Sequence, residues 1–444
     1  MFGDGSIFSY AVAAQNAWAF HWHNISSRLF SYVFAYIPAE TYVALTQSAR
    51  GGIFVYGLLH FSAPLLGLLA TWAADRTLGR IIFIYACVST ACLCPLVFGF
   101  PTEMWMAHAV FWPALALSPS APRSAAGNIA VFAAFLALIF THEGGLVFAA
   151  AILFALFLRG WRDSLFLRAS GAFLPALTIW VIIRIAIQPD DYISGVLASA
   201  AYRFIDVGNL EQPGLILLLG ALWDYLILVV ILRRVSAASP IYAALLPALA
   251  LVIYWLYLDT SLLADARYEL RTVLLLATPA LGIAAAIQAM GEEDRRKSPL
   301  KFLATFASAI EKRLDPQILL GAIALILLMH VVETAKFVQA WEDYKSAIRA
   351  LATGSDSDPG LGSPLFVSSK RIDADLNRLA WNSTTPYLSV LVAPALTPAR
   401  LVVDPETGYF WLSCAIATES ERTSTAIPLQ ARELIRQYSC LHRR

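Results

Sequence analysis

Five places in this chain set residues able to do acid, base or anion-binding chemistry into surroundings that are otherwise apolar. Asp4 stands between Gly3 and Gly5, either as a turn aspartate or as a carboxylate that takes a proton from a hydroxyl or binds a metal. Glu103 and His108 follow the Phe100-Pro101-Thr102 turn, where the acid can equally cap the next helix. The run Thr141-His142-Glu143-Gly144-Gly145 breaks a continuous apolar stretch. Packing hardly explains it: it is either a polar hairpin at the membrane interface or a site whose histidine can act as acid, base, donor or ligand. Arg267 and Arg271, with Tyr268 between them, lie four residues apart, one above the other on a helix. Two guanidiniums so placed suit a phosphate or pyrophosphate, or else pair with Asp265 and Glu269. Arg184, near the end of an apolar stretch, is a candidate to join them. The aromatic segment His21-Trp22-His23, with Arg28 beyond it, offers ring faces and donors for substrate contact, or the interfacial anchors common at membranes. His60, within an apolar run, reads as a satisfied packing histidine.

The elements holding these residues are set by hydropathy. The chain has 444 residues, 59% hydrophobic and only 14% charged, with a mean hydropathy of +0.64. Soluble domains run near 25% charged, so the composition is that of an integral membrane protein. The formal net charge of +1 and the lack of basic runs give no sign of a nucleic-acid partner. Ten apolar stretches, near 53–72, 81–100, 109–122, 127–141, 143–158, 165–187, 213–232, 239–258, 271–289 and 317–334, predict about ten transmembrane helices. Cys87, Cys92 and Cys94 fall inside one of them as small packing residues.

Lysine and arginine are unequally shared between the connections. One set holds fourteen: Arg76, Arg80, Arg123, Arg159, Arg162, Arg168, Arg233, Arg234, Arg295, Arg296, Lys297, Lys301, Lys312 and Arg313. The alternate set holds three, Arg203, Arg267 and Arg271, beside nine acids. The richer set belongs in the cytoplasm, which puts both termini and every candidate above on the extracytoplasmic side. The expected organisation is an extracytoplasmic loop over 1–50 with interfacial amphipathic helices, a transmembrane domain over 51–335, and a small extracytoplasmic α/β domain over 336–444. That last domain is predicted to open with an amphipathic helix (Phe337, Trp341, Tyr344, Ile348, Leu351). Strands are expected at Leu365–Ser368, Tyr387–Val392, Arg400–Val403 and Tyr409–Ile416, and helices near Asp373–Ala380 and Leu429–Tyr438. A Cys414–Cys440 disulfide would suit an oxidising compartment.

This arrangement resembles the GT-C superfamily of polytopic membrane glycosyltransferases, with Gly3-Asp4-Gly5 and the following Phe8-Ser9-Tyr10-Ala11 similar to the family's first external loop. The resemblance implies sugar transfer from a polyprenyl-phosphate-linked donor to a glycan or lipid acceptor on the extracytoplasmic face of a bacterial inner membrane. Asp4 would take the loop acid's role as general base or metal-linked residue, with Glu103, His142 and Glu143 completing the catalytic set. His21, Trp22, His23, Arg28, His108, Arg184, Arg267, Tyr268 and Arg271 would contact substrate, and a divalent cation (Mg or Mn) is compatible with the set but not required by it. The family's first spanning helix has no counterpart before Asp4, so either the start lies further upstream or this is a shortened form. Two other readings share these features: a transporter or flippase for a lipid-linked or anionic substrate, which expects ionisable groups near the bilayer midplane and repeat symmetry, and a polysaccharide polymerase or ligase.

Overall fold

The computed structural model describes residues 3–18, 25–100, 102–187, 213–235, 240–258, 270–302, 315–354, 364–379, 384–404 and 425–441. Among these, all ten apolar stretches are helical. Seven helices are long and apolar enough to cross a membrane: α4 (Ala49–Ala74), the Leu78–Val97 segment containing α5 (Ile81–Leu93), α9 (Ser164–Ala186), α10 (Pro213–Val235), the Pro240–Leu258 segment containing α11 (Leu245–Ile253), α12 (Arg271–Ala289) and α13 (Pro316–Thr353). The chain is an all-α membrane protein. The other three stretches form α6 (Glu103–Ser120), α7 (Ala125–Ile139) and α8 (Gly145–Phe157). Side-chain caps start several of them in the ordinary way: Ser48 accepts from the Gly51 amide, Thr102 from Met104, Ser124 from Gly127 and Asp163 from Leu165.

α6 is the axis of the bundle. Thirteen of its eighteen residues are buried, and it packs on α4, α5, α7, α8 and α12. A core of Phe111, Trp112, Phe135, Phe148 and Ile152 surrounds it. A second group, α10, α11 and α13, closes around Tyr225, Leu251, Trp255 and Leu325, and His330 of α13 bonds the Cys92 carbonyl at 2.7 Å to tie the two groups together.

The N-terminal segment departs from the sequence expectation. Three short elements fill it: α1 (Asp4–Ala13), α2 (Ile25–Ser31) and α3 (Ile37–Thr46), the last two joined by a π-helical turn over Tyr32–Tyr36. α1 does not lie along a surface. Residues Gly5–Ala14 are buried throughout, with α4 on one side and the C-terminal region on the other. Its side chains are apolar or small all round (Ile7, Phe8, Tyr10–Ala14), which is the pattern of an enclosed helix rather than an interfacial one.

Two further expectations are corrected near the C-terminus. α13 is one helix of 38 residues, about 57 Å long at 1.5 Å per residue, and it runs unbroken through the boundary expected at 335. Its distal half supplies Phe337, Trp341, Tyr344 and Ile348 to the core of the cap. The expected strand at Tyr387–Val392 is instead α14 (Thr385–Val392), with Pro386 in its first turn, where proline is favoured. The flanking strands β1 (Phe366–Ser368) and β2 (Leu401–Val403) do form and pair in parallel, with α14 as their crossover. α15 (Leu429–Leu441) matches its expected helix. Tyr409–Ile416, Cys414 and the side chain of Cys440 lie outside the described residues, and Cys87, Cys92 and Cys94 are free thiols.

Candidate functional site

The site assembles where α2 crosses the start of α6 and the end of α7. The backbone makes the crossing: Phe30 N–H donates to the Phe140 carbonyl at 3.0 Å, and the Ser31 hydroxyl donates to the Thr141 carbonyl at 3.3 Å. α2 is thereby strapped to the turn that carries His142 and Glu143. Within it the backbone kinks at Arg28 (φ −131°, ψ 20°). The Arg28 guanidinium bonds Glu103 Oε1 through Nη1 at 2.9 Å and approaches Glu143 Oε2 through Nη2 at 3.9 Å. Burial works against the Arg28 charge, but Glu103 and then Glu143 outweigh it and hold its pKa above the ordinary value. The Arg28 Nε is buried without a hydrogen-bond partner. Arg28 therefore joins two acids 40 residues apart in sequence that both open helices or turns at this end of the bundle.

His142 has a defined chemical state. Its Nδ1 accepts the Gly144 amide at 2.9 Å. Two donors cannot face each other, so the ring proton belongs on Nε2. Glu143 Oε2 lies 3.7 Å from the same unprotonated Nδ1 and makes no ion pair there. Burial pushes the imidazole pKa down to about 4, only partly offset by Glu143, while Arg28 and Arg271 add to the depression. His142 is thus neutral at physiological pH, and Nε2–H makes no hydrogen bond with the described residues. It is a fixed, available donor. The turn that presents it depends on Gly145, where a Cβ would sit 2.0 Å from the Leu138 carbonyl oxygen.

Around Arg28, two buried tyrosines extend the polar region inward. The Tyr36 and Tyr56 hydroxyls are 3.2 Å apart, and Tyr36 senses the charge on Glu103. Tyr56 packs on His60. His60 packs between Tyr56 and Phe61 at 1% exposure, as a packing histidine is expected to, although its Nε2 has no hydrogen-bond partner. An apolar cavity of about 590 Å³ begins beside the cluster, at Phe30 and Met106, and continues between α4 and α6 past Ala63, Gly67, Val110 and Pro113. Among the described residues, no polar side chain lines it.

The sequence candidates divide clearly. Arg28, Glu103, His142 and Glu143 come together, and Arg271 at the start of α12 is close enough to act on His142. His108 does not join them, a correction to its expected substrate contact. It is 0% exposed inside the bundle, with Nε2 taken by the Ser89 hydroxyl at 2.9 Å and the Trp112 indole at 3.3 Å, and Nδ1 facing Cys94 Sγ at 3.5 Å. Helical phase decides this: five residues separate Glu103 from His108, which turns the histidine toward α5 instead. The Arg184 guanidinium lies over the Trp180 ring at 5.9 Å. Asp4 opens α1 after a Gly3 in the left-handed region (φ 57°), but its side chain is outside the described residues, as are His21, Trp22, His23, Arg267 and Tyr268. Among the described residues, no three His, Cys, Asp or Glu side chains converge to hold a metal. Sequence reasoning missed Tyr36 and Tyr56, which lie in different elements and meet only through packing, and Asp224.

Neither a protein-family pattern, nor a curated protein, nor a solved structure matches this chain.

Proposed function

We propose that this protein is a membrane glycosyltransferase, moving a sugar from a polyprenyl-phosphate-linked donor to an acceptor at the extracytoplasmic end of the bundle. The observation that carries the reading is a juxtaposition: the Arg28–Glu103–Glu143–His142 cluster stands within a helical turn of an apolar groove. A lipid-linked anionic donor has the same two parts, a charged head and a hydrocarbon tail. In this reading Arg28 and Arg271 hold the phosphate and stabilise the charge that develops on it as the sugar leaves. His142 Nε2–H donates to a phosphate or sugar oxygen. Glu103 and Glu143 keep Arg28 charged and oriented, and Asp4, at the mouth of α1, takes the proton of the acceptor hydroxyl. A transporter would instead be expected to carry ionisable side chains along an internal path. The acid at mid-depth of α10, Asp224, faces outward from the bundle, which favours chemistry at one face over passage.

The test is transfer of a labelled sugar from polyprenyl phosphate to acceptor by the purified protein in lipid vesicles. Wild type turns over, and Asp4→Asn reduces transfer by at least 100-fold while the variant still inserts and folds. Normal turnover by Asp4→Asn removes Asp4 from the mechanism. Movement of an intact fluorescent lipid-linked sugar across the vesicle, without transfer, replaces the enzyme reading with the transport one.

A further inference from the structure

α10 buries one stripe and exposes another. Leu218, Ala221, Tyr225 and Val229 pack against α11 and α13. The opposite stripe, Ile216, Leu219, Gly220, Trp223, Asp224 and Ile227, is open to the exterior. Apolar side chains facing lipid need no explanation, but three members of this stripe do. Asp224 is the twelfth of the 23 residues of α10, the depth at which a carboxylate is most costly in a bilayer, and such groups normally turn inward or find a partner. Trp223 is 66% exposed at the same depth, away from the interfacial level where tryptophan usually anchors. Among the described residues, neither the Asp224 carboxylate nor the Trp223 indole N–H has a hydrogen-bond or ion-pair partner. One turn before Asp224, a Cβ added to Gly220 would meet nothing within 4 Å, so the helix backbone is bare there and another helix can approach closely.

We propose that this stripe is an intramembrane interface between two copies of the chain. The occupant follows from the groups left unpaired: one acceptor and one donor, side by side on the same face. A two-fold interface is self-complementary, so that residue i meets j while j meets i. Trp223 of each copy then donates to Asp224 of the other, and lipid can satisfy neither. Gly220 lets the two α10 helices come near enough for this, as small residues do at helix contacts in membranes. Copies share one topology in the bilayer, so the two helices run parallel and bring both pairs to the same depth.

The experiment uses the full chain, labelled in separate batches with donor and acceptor fluorophores and mixed in phosphatidylcholine vesicles over a range of protein-to-lipid ratios. Wild type gives energy transfer above that of random neighbours, and unlabelled protein competes it away. Asp224→Leu and Trp223→Phe each weaken association roughly tenfold, the scale of losing two interhelical hydrogen bonds per dimer. Asp224→Asn keeps an acceptor oxygen and stays within about threefold of wild type, which guards against a leucine variant that misfolds. Leu249→Ala, on the exposed face of α11, changes nothing. Wild type that stays monomeric over the whole range overturns the proposal, including where it associates only with a different protein. So does an Asp224→Leu variant that associates as tightly as wild type.

Discussion

His108, fully buried within α6, and His142, part-buried in the turn before α8, are put to opposite uses. His108 gives both ring nitrogens to the protein: Ser89 and Trp112 on one side, Cys94 on the other. His142 gives one, to the Gly144 amide, and keeps Nε2–H in hand beside a paired arginine. The difference teaches that burial and a neutral imidazole do not mark a functional histidine. What separates the two is that His142 keeps an uncommitted ring nitrogen beside the Arg28 cluster. Removing the first should cost stability, and removing the second should cost activity.

The largest effect is expected at the residue that holds the His142 environment together. Arg28→Met leaves Glu103, 5% exposed, without its cation, and breaking a buried pair costs about 3–5 kcal/mol. Because Arg28 is itself about one-fifth exposed, the lower end is expected, read as a lowered midpoint of thermal unfolding. Adding Glu103→Gln should recover most of that loss, since the uncompensated charge is then gone. Next, His108→Ala should destabilise by about 3 kcal/mol, from the cavity and the orphaned Trp112 and Ser89 donors, with no change in the pH profile of activity. If it instead abolished activity without loss of stability, the division between the two histidines would fail. His142→Asn should unfold within about 1 kcal/mol of wild type but lose 10- to 100-fold in transfer, the scale of one hydrogen bond to a charged group. His142→Gln, whose amide nitrogen reaches the Nε2 position, should retain more activity than the asparagine variant.

The smallest effect concerns pH. Burial raises the Glu40 pKa to about 7, against the Ala17 amide (2.7 Å) and Tyr32 hydroxyl (3.4 Å) that bond it. The folded protein therefore holds a proton on Glu40 between about 4.5 and 7 that the unfolded chain has released, so this group's stabilising contribution falls as pH rises through that window. His142 has the opposite sign. Its folded pKa near 4 lies below the ordinary 6.5, so its contribution is lost as pH falls from 6.5 toward 4. Comparing unfolding at pH 5 and 7.5 should show Glu40→Gln flattening the first slope and His142→Gln the second, each on the order of 1–3 kcal/mol.

Much of the frame was legible in the chain, because a bilayer demands long apolar helices and every such run folded as one. Within the site, Glu103, His142 and Glu143 could be found because each interrupts such a run. Their common partner was harder to see. Arg28 is a lone cation in an aromatic segment, and what it pairs with depends on how α2 crosses the bundle, which no local pattern encodes. His108 shows the reverse: its type and position resembled those of its neighbours, and only helical phase turned it into the core. Tyr387–Val392 is a short apolar run rich in strand-forming residues, but Pro386 and the crossover between two parallel strands make it a helix. Asp224 escaped notice because a single acid barely lowers the average of 23 apolar positions, although its depth in the helix was itself the signal.

The central claim is that the cluster around Arg28 works on a lipid-linked anionic substrate, with His142 as its neutral donor. The most direct measurement is sugar transfer from polyprenyl phosphate in reconstituted vesicles by wild type, His142→Gln, His142→Asn and His108→Ala, each matched for folded protein. Near wild-type turnover is expected for His108→Ala, intermediate turnover for His142→Gln and a 10- to 100-fold loss for His142→Asn. Equal turnover by all four, or a loss confined to His108→Ala, would contradict it.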